Sequence, residues 1–199
     1  MVIIDCDQRS PLWFQERLGK PSASRFGEIL TPTGEVSKQR KGYMYDLAAQ
    51  IISGQSPETY TSAAMEEGIR REAESRELYE LIYGVEIQQV GMIFPDDKKK
   101  YLCSPDGLRS DNIGLELKNV LPKTQVEYLL SKKLPSIYKP QVQGSMLVTG
   151  FKQWHFMSYC PSLPPLILEI DRDEKWIEKC EIELKDFNLE LAEMVRRLT

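Results

Sequence analysis

The feature that most constrains this chain is the run Tyr101–Lys118, YLCSPDGLRSDNIGLELK. Its Ser-Pro-Asp-Gly start is turn chemistry, with proline presetting φ and glycine permitting a tight reversal. The segment that follows alternates apolar and charged residues, the period-two pattern of a strand whose faces meet different surroundings. Glu116 and Lys118 therefore share one face, and Leu115 and Leu117 share the other. A hairpin starting at the turn can fold Asp106 back beside Glu116, and two carboxylates and an ammonium would then converge at a strand end. Glu-Leu-Lys alone reads equally as an exposed strand face, and the Ser-Pro-Asp-Gly turn, the apolar flanks and the hairpin context are what favour a site.

The remaining elements are read around that hairpin. Ser22–Leu30 is expected to be a short helix, with Pro21 before it and Ser22 as a candidate N-cap. Thr31–Lys41 is polar and contains Gly34, which suggests a mobile loop. Gly42–Ser53 and Ser62–Tyr83 read as helices; Val85–Phe94, Tyr101–Ser104 and Ile113–Lys118 read as strands. A helix over Ile137–Thr149, interrupted near Pro140, precedes strands at Gln153–Tyr159 and Leu166–Ile170. The tail from Asp173 reads mostly as helix. This order predicts an α/β fold with a central sheet, and 199 residues suit one domain spanning 1–199.

Composition removes several classes of function. No apolar run approaches the length needed to cross a bilayer. The start MVIIDCDQRS lacks the basic residues and long apolar stretch of a secretory signal. Cys6, Cys103, Cys160 and Cys180 are far apart with no CxxC pair, so reduced thiols in a cytoplasm are expected rather than zinc or disulfides. The net charge of −4 argues against a uniformly basic nucleic-acid binder, yet leaves room for acids that hold metal and bases that line a groove. His155 is the one histidine and lies in a strand-like run, so histidine-based triads and metal clusters rank low.

Two carboxylates with one ammonium suit phosphodiester hydrolysis. The reaction needs a nucleophilic water, neutralised phosphate charge and help for the departing oxygen, all within reach of Mg²⁺ held by oxygen ligands. Asp106 and Glu116 are the candidate ligands, and the backbone carbonyl of Leu117 is a further oxygen. Lys118 could position the water, accept its proton if its pKa were lowered, or offset phosphate charge. In the Ser62–Tyr83 helix, Met65, Ile69, Glu72, Arg76, Tyr79 and Tyr83 form one stripe. Glu72 on that stripe needs a partner, either Arg76 at i+4 or a metal site. Tyr138, Gln141 and Ser145 share a later helical face, where Gln141 could bond a catalytic water, a DNA oxygen or a backbone group. Upstream, Arg17 with Ser22 and Ser24 at a helix start makes a phosphate cradle, although ordinary capping explains Ser22 equally well.

At these residues the chain resembles the lambda-type exonucleases (YqaJ-like viral recombinases) of the PD-(D/E)xK nuclease superfamily. The resemblance covers most of the chain and rests on Trp13–Gly19, Ser22–Ser24, Gly68–Glu72, Cys103–Gly107, Gly114–Lys118, Gln141–Gln143 and Ile170–Lys175. It implies a restriction-endonuclease-like core, a central mixed β-sheet flanked by helices. It also implies a Mg²⁺ enzyme, with Mn²⁺ expected to substitute, that degrades the 5′-ended strand of linear double-stranded DNA. The 3′ overhang left behind would serve a single-strand-annealing protein. A homotrimeric ring and a phage or prophage gene expressed in a bacterial cytoplasm are implied with it.

By the same resemblance Asp106 and Glu116 bind metal, Lys118 is catalytic, and Glu72 and Gln141 complete the site. Arg17, Ser24 and Ser104 would grip the terminal 5′-phosphate, with Ser22 and Tyr138 as further DNA contacts. Lys123 and Thr124 stand where a second phosphate-binding arginine is expected, and a lysine lacks the bidentate fork. Two other readings are a DNA endonuclease or repair nuclease with the same site, and a non-catalytic DNA-binding module of the same fold. Linear against closed-circular substrate separates the first, and magnesium-dependent nucleotide release excludes the second.

Overall fold

The computed structural model describes residues 1–56 and 63–199, with the backbone alone for 63–67 and 69. In chain order the described elements are strand β1 (Val2–Ile4), helix α1 (Pro11–Arg17), a 3-10 helix over Ala23–Glu28, α2 (Arg40–Ser53), α3 (Ala63–Tyr83), β2 (Met92–Phe94), β3 (Gly107–Leu108), β4 (Ile113–Asn119), α4 (Pro122–Ser131), a 3-10 turn over Ser136–Tyr138, α5 (Lys139–Thr149), β5 (Gln153–Tyr159), β6 (Leu166–Asp171) and α6 (Glu174–Leu198).

Strands β3, β4, β5 and β6 make one sheet in that order, and β1 pairs separately with β2. The sheet is mixed: β3 runs antiparallel to β4, β4 parallel to β5, and β5 antiparallel to β6. Parallel neighbours need a crossover, and the chain between β4 and β5 supplies it with α4 and α5. Strand pleat then sorts the core. Trp154 and Phe156 of β5 pack with Phe26, Val142, Met146, Trp176 and Phe187 on one side. Met157 packs with Leu115, Leu117 and Tyr79 on the other. Helices thus cover both faces, and the expected α/β architecture is the one observed.

Several boundaries differ from the sequence reading. Of Val85–Phe94 only Met92–Phe94 is a strand, and it pairs with β1 rather than joining the central sheet. Upstream of it, the Ile87 N–H goes to a side chain, Glu80 Oε1, and Gln88 forms a lone bridge to Leu108. Tyr101–Ser104 is likewise not a strand; Leu102 bridges Ser22 and Cys103 bridges Ile93, so consecutive residues bond different segments. The helix expected over Ser22–Leu30 is the shorter 3-10 helix, and the Ser22 side chain makes no capping bond. The Thr31–Lys41 loop, expected to be mobile, is fastened to α6: Trp176 Nε1 donates to Thr31 O at 2.9 Å and Lys179 Nζ to Gly34 O at 3.3 Å. Ser62, the expected start of the long helix, lies outside the described residues, as do the side chains of Met65 and Ile69. Among the described residues no helix is long and apolar enough to cross a membrane.

Candidate active site

The hairpin assembles the site by backbone pairing before any side chain contributes. Gly107 pairs with Leu115, and the Asp106 N–H donates to Leu115 O at 3.1 Å. Gly107 must be glycine for packing reasons, because a Cβ there would lie 2.1 Å from Ile87 Cγ2. With the turn fixed, Asp106 Oδ2 accepts the Leu117 N–H at 2.6 Å. Glu116 and Lys118 fall on the α5 face, where Lys118 Nζ lies 2.5 Å from Glu116 Oε1. Gln141, in the first half of α5, donates to that same oxygen at 2.7 Å. The aromatic ring of Tyr138 has its centroid 5.2 Å from Lys118 Nζ.

Electrostatics distinguish this cluster from an ordinary surface ion pair. Burial pushes the Asp106 carboxyl well above the usual carboxylate range, and the negative Glu116 pushes the same way. Burial raises Glu116 too, opposed by Lys118. Glu116 is 1% exposed, and its Oε2 is buried with no hydrogen-bond partner. An orphaned buried carboxylate oxygen costs free energy unless a cation or donor meets it. No group of three or more His, Cys, Asp or Glu side chains suited to a metal occurs among the described residues. The oxygen donors present are the Asp106 and Glu116 carboxylates, of the hard type that Mg²⁺ takes in small number alongside carbonyls and waters, and the partnerless Glu116 Oε2 is the atom such a cation would satisfy.

Lys118 does not become the neutral base that one sequence reading allowed. Burial pulls its pKa down, but Glu116 and then Asp106 outweigh it and leave the ammonium above its ordinary range. Glu72 takes the simple partner: Arg76 Nη2 meets its Oε1 at 2.8 Å. Glu72, Arg76 and Asp106 also line one cleft of about 460 Å³, walled on the far side by residues from Asp5 to Arg9.

Next to the carboxylates lies a cationic cradle. Arg17 donates from Nη1 to Ser104 Oγ at 3.0 Å and from Nη2 to Ser22 Oγ at 3.1 Å. The Ser22 and Ser24 hydroxyls are 2.9 Å apart. Arg17 stacks on Trp13 at 4.1 Å, and Trp13 Nε1 also reaches Ser104 Oγ at 3.2 Å. The carboxylates that might have claimed Arg17 are taken: Glu28 by Arg25 at 2.6 Å and Glu16 by Lys99 at 3.1 Å. Among the described residues Arg17 forms no ion pair. Lys123 and Thr124 sit in the first turn of α4, and neither side chain hydrogen-bonds to this cradle. Two contacts escaped the sequence reading. Gln8 Nε2 donates to Pro105 O at 2.9 Å, and Arg76 Nε to Asp106 O at 3.2 Å. Side chain to backbone contacts across 97 and 30 positions leave no periodic signal to read.

Comparison with known proteins identifies the family and the fold. Residues 12–152 match the model of the YqaJ-like viral recombinase domain. An alkaline exonuclease from Laribacter hongkongensis, LHK-Exo, superposes with a TM-score of 0.84 at 30% identity, covering 95% of this chain and 96% of that one. LHK-Exo in complex with dAMP matches equally, with a TM-score of 0.84 at 30% identity and the same coverage of 95% and 96%. A phage-related exonuclease from Haemophilus somnus 129PT shares the fold, with a TM-score of 0.69 at 12% identity over 90% of this chain and 96% of that one. No curated protein matches the sequence.

Proposed function

The chain belongs to the YqaJ-like viral recombinase family, and from that premise we propose that it is a Mg²⁺-dependent exonuclease degrading the 5′-ended strand of linear duplex DNA. The observation that carries the reading is the junction at Ser104–Asp106. Ser104 closes the Arg17 cradle, and Asp106, two positions later, enters the buried carboxylate pair. A terminal phosphate held by the cradle would set the adjoining phosphodiester against the carboxylates. The dAMP complex of LHK-Exo, a structural neighbour, is in keeping with a nucleotide-sized product.

The residues divide the chemistry among them. Asp106, Glu116 and the Leu117 carbonyl would hold Mg²⁺, which when bound supplies phosphate charge neutralisation and a water of lowered pKa. Lys118 remains an ammonium, able to donate to the attacking water or to the phosphate as charge develops. Gln141 fixes the Glu116 carboxylate through Oε1, which leaves Oε2 for a cation. Tyr138 flanks Lys118 and excludes water from its far side. Glu72 contributes the third negative charge at the cleft. Arg17 with Ser22, Ser24 and Ser104 holds the 5′-phosphate in register, converting end binding into correct placement of the next bond.

Further parts of the proposal rest on family membership. Residues 1–199 would act as one nuclease domain in a homotrimeric ring, encoded by a phage or prophage, and would leave 3′ overhangs for an annealing protein. Light scattering should give the mass of three chains at micromolar concentration; a monomer would remove the ring. Arg17→Ala tests the end-recognition step. Losing a hydrogen bond to a charged group costs about 1.5–3 kcal/mol, or roughly ten- to a hundredfold. That loss should fall on 5′-phosphorylated ends and shrink their preference over 5′-hydroxyl ends. Arg17→Lys should recover part of it, because the charge stays and the planar fork goes. An unchanged phosphate-to-hydroxyl ratio in Arg17→Ala would remove the cradle from end recognition.

A further inference from the structure

Arg76 makes two contacts that join α3 to the Asp106 turn, beside the core that packs α3 on the sheet. Its Nη2 donates to Glu72 Oε1 at 2.8 Å within α3, and its Nε donates to the Asp106 carbonyl at 3.2 Å. The side chain is 12% exposed, so these bonds compete little with water. The planar guanidinium holds its donors in fixed relative positions, and Nε serves the turn while Nη2 serves Glu72. The Asp106 carbonyl lies in the backbone of the turn that presents Oδ2 to the Leu117 N–H. The negative charge of Glu72 reaches both Asp106 and Glu116. The position of Glu72 therefore contributes to the field at the carboxylate pair, behind burial and the Lys118 charge.

We propose that Arg76 is a positioning residue for the cation site, fixing Glu72 and the Asp106 turn at one separation through a single guanidinium. The inference rests on the metal-site reading above and adds a residue to it. Arg76 touches neither the scissile phosphate nor the cation in this role. It limits how far α3 and the turn can drift, and so keeps three carboxylates converged despite their mutual repulsion. Lysine can hold Glu72 but has no second donor fixed in the plane to bond the Asp106 carbonyl at the same time, so Arg76→Lys is the informative variant.

The test is calorimetric titration of the purified chain with Mn²⁺, for wild type, Arg76→Lys, Arg76→Met and Glu72→Gln. Melting temperature and the DNA-end KM are measured alongside. Residues that orient metal ligands from behind typically change affinity ten- to a hundredfold when removed. Arg76→Met should therefore weaken Mn²⁺ by about tenfold or more and Arg76→Lys by less, both with folded melting curves and little change in KM. Adding Arg76→Met to Glu72→Gln should weaken binding by less than the product of the single effects, because both variants break the same link. Undiminished Mn²⁺ affinity in Arg76→Met would overturn the inference, as would fully multiplicative effects in the double variant. An Arg76→Met chain that fails to fold leaves Arg76→Lys to decide, and wild-type affinity there overturns the inference equally. Wild type that binds no Mn²⁺ would instead defeat the metal-site reading itself.

Discussion

At the scale of single residues, charge is stabilised here by neighbours rather than by water. Lys118 keeps its proton because Glu116 and Asp106 overcome the pull of burial, so its chemistry is that of a donor. His155 shows the opposite balance. It is 1% exposed; its Nδ1 lies 2.7 Å from the Tyr79 hydroxyl, which accepts from Arg109 at 3.2 Å. With that hydroxyl donating to Nδ1, the imidazole proton would sit on Nε2, which is buried with no hydrogen-bond partner and has Glu169 Oε1 4.0 Å away. Burial lowers the His155 pKa below 6.5. Below 6.5 the unfolded chain binds a proton that the folded one resists, so stability is retained above that pH and lost as pH falls toward the folded value. The loss approaches about 1.4 kcal/mol per pH unit inside that window. Urea denaturation at pH 7.5 and 5.5 should show wild type losing more stability than His155→Asn, whose amide oxygen can replace the Nδ1 acceptor. Equal losses would place the effect elsewhere. Glu116 and Lys118 could be placed on one face from the sequence because a strand's pleat leaves no choice of face, and Asp106 beside them because the Pro-Asp-Gly turn reverses the chain. The Gln8 and Arg76 contacts could not, since each ends on a backbone carbonyl of a distant turn.

Among elements, legibility followed the strength of local pattern. Strands β4, β5 and β6, and helices α2, α3 and α6, could be read because alternation or helical spacing persists over six residues or more. β1 and α1 were missed, three and seven residues long. So was α4, ten residues long, whose only buried residue is Gln125. Helix α5 was placed correctly and its proline is harmless, because a first-turn residue has no intrahelical N–H bond to lose. What spacing could not reveal is how closely α5 approaches the 3-10 helix that carries Ser24. A Cβ on Gly144 would lie 2.4 Å from Phe26 Cδ2, on a ring with no exposure, whereas one on Gly27 would meet Pro140 Cγ at an ordinary 3.5 Å. Overpacking a filled core costs about 1–3 kcal/mol. Chemical denaturation should show Gly144→Ala destabilised by that amount and Gly27→Ala close to wild type. If Gly144→Ala matched wild type, the contact would be looser than drawn.

For the molecule as a whole, one sheet serves two purposes. Its α3 side buries Leu115, Leu117 and Met157 for stability, while its α5 side carries Glu116 and Lys118 beside Gln141. An α/β fold with a central sheet was predictable from the order of elements, and its mixed pairing with flanking helices from the family resemblance. The union of cradle and carboxylates was not, since Arg17 and Asp106 are brought together only by tertiary packing of α1 against the turn. That union is the central claim, and digestion of 5′-end-labelled linear duplex tests it most directly. With Mg²⁺, wild type should release labelled mononucleotide from the first turnover, leave closed circles intact, and do nothing in chelator. Lys118→Ala should bind ends and fold normally yet release no label. Release without divalent metal, equal cutting of closed circles, or a Lys118→Ala chain working near the wild-type rate would contradict the account.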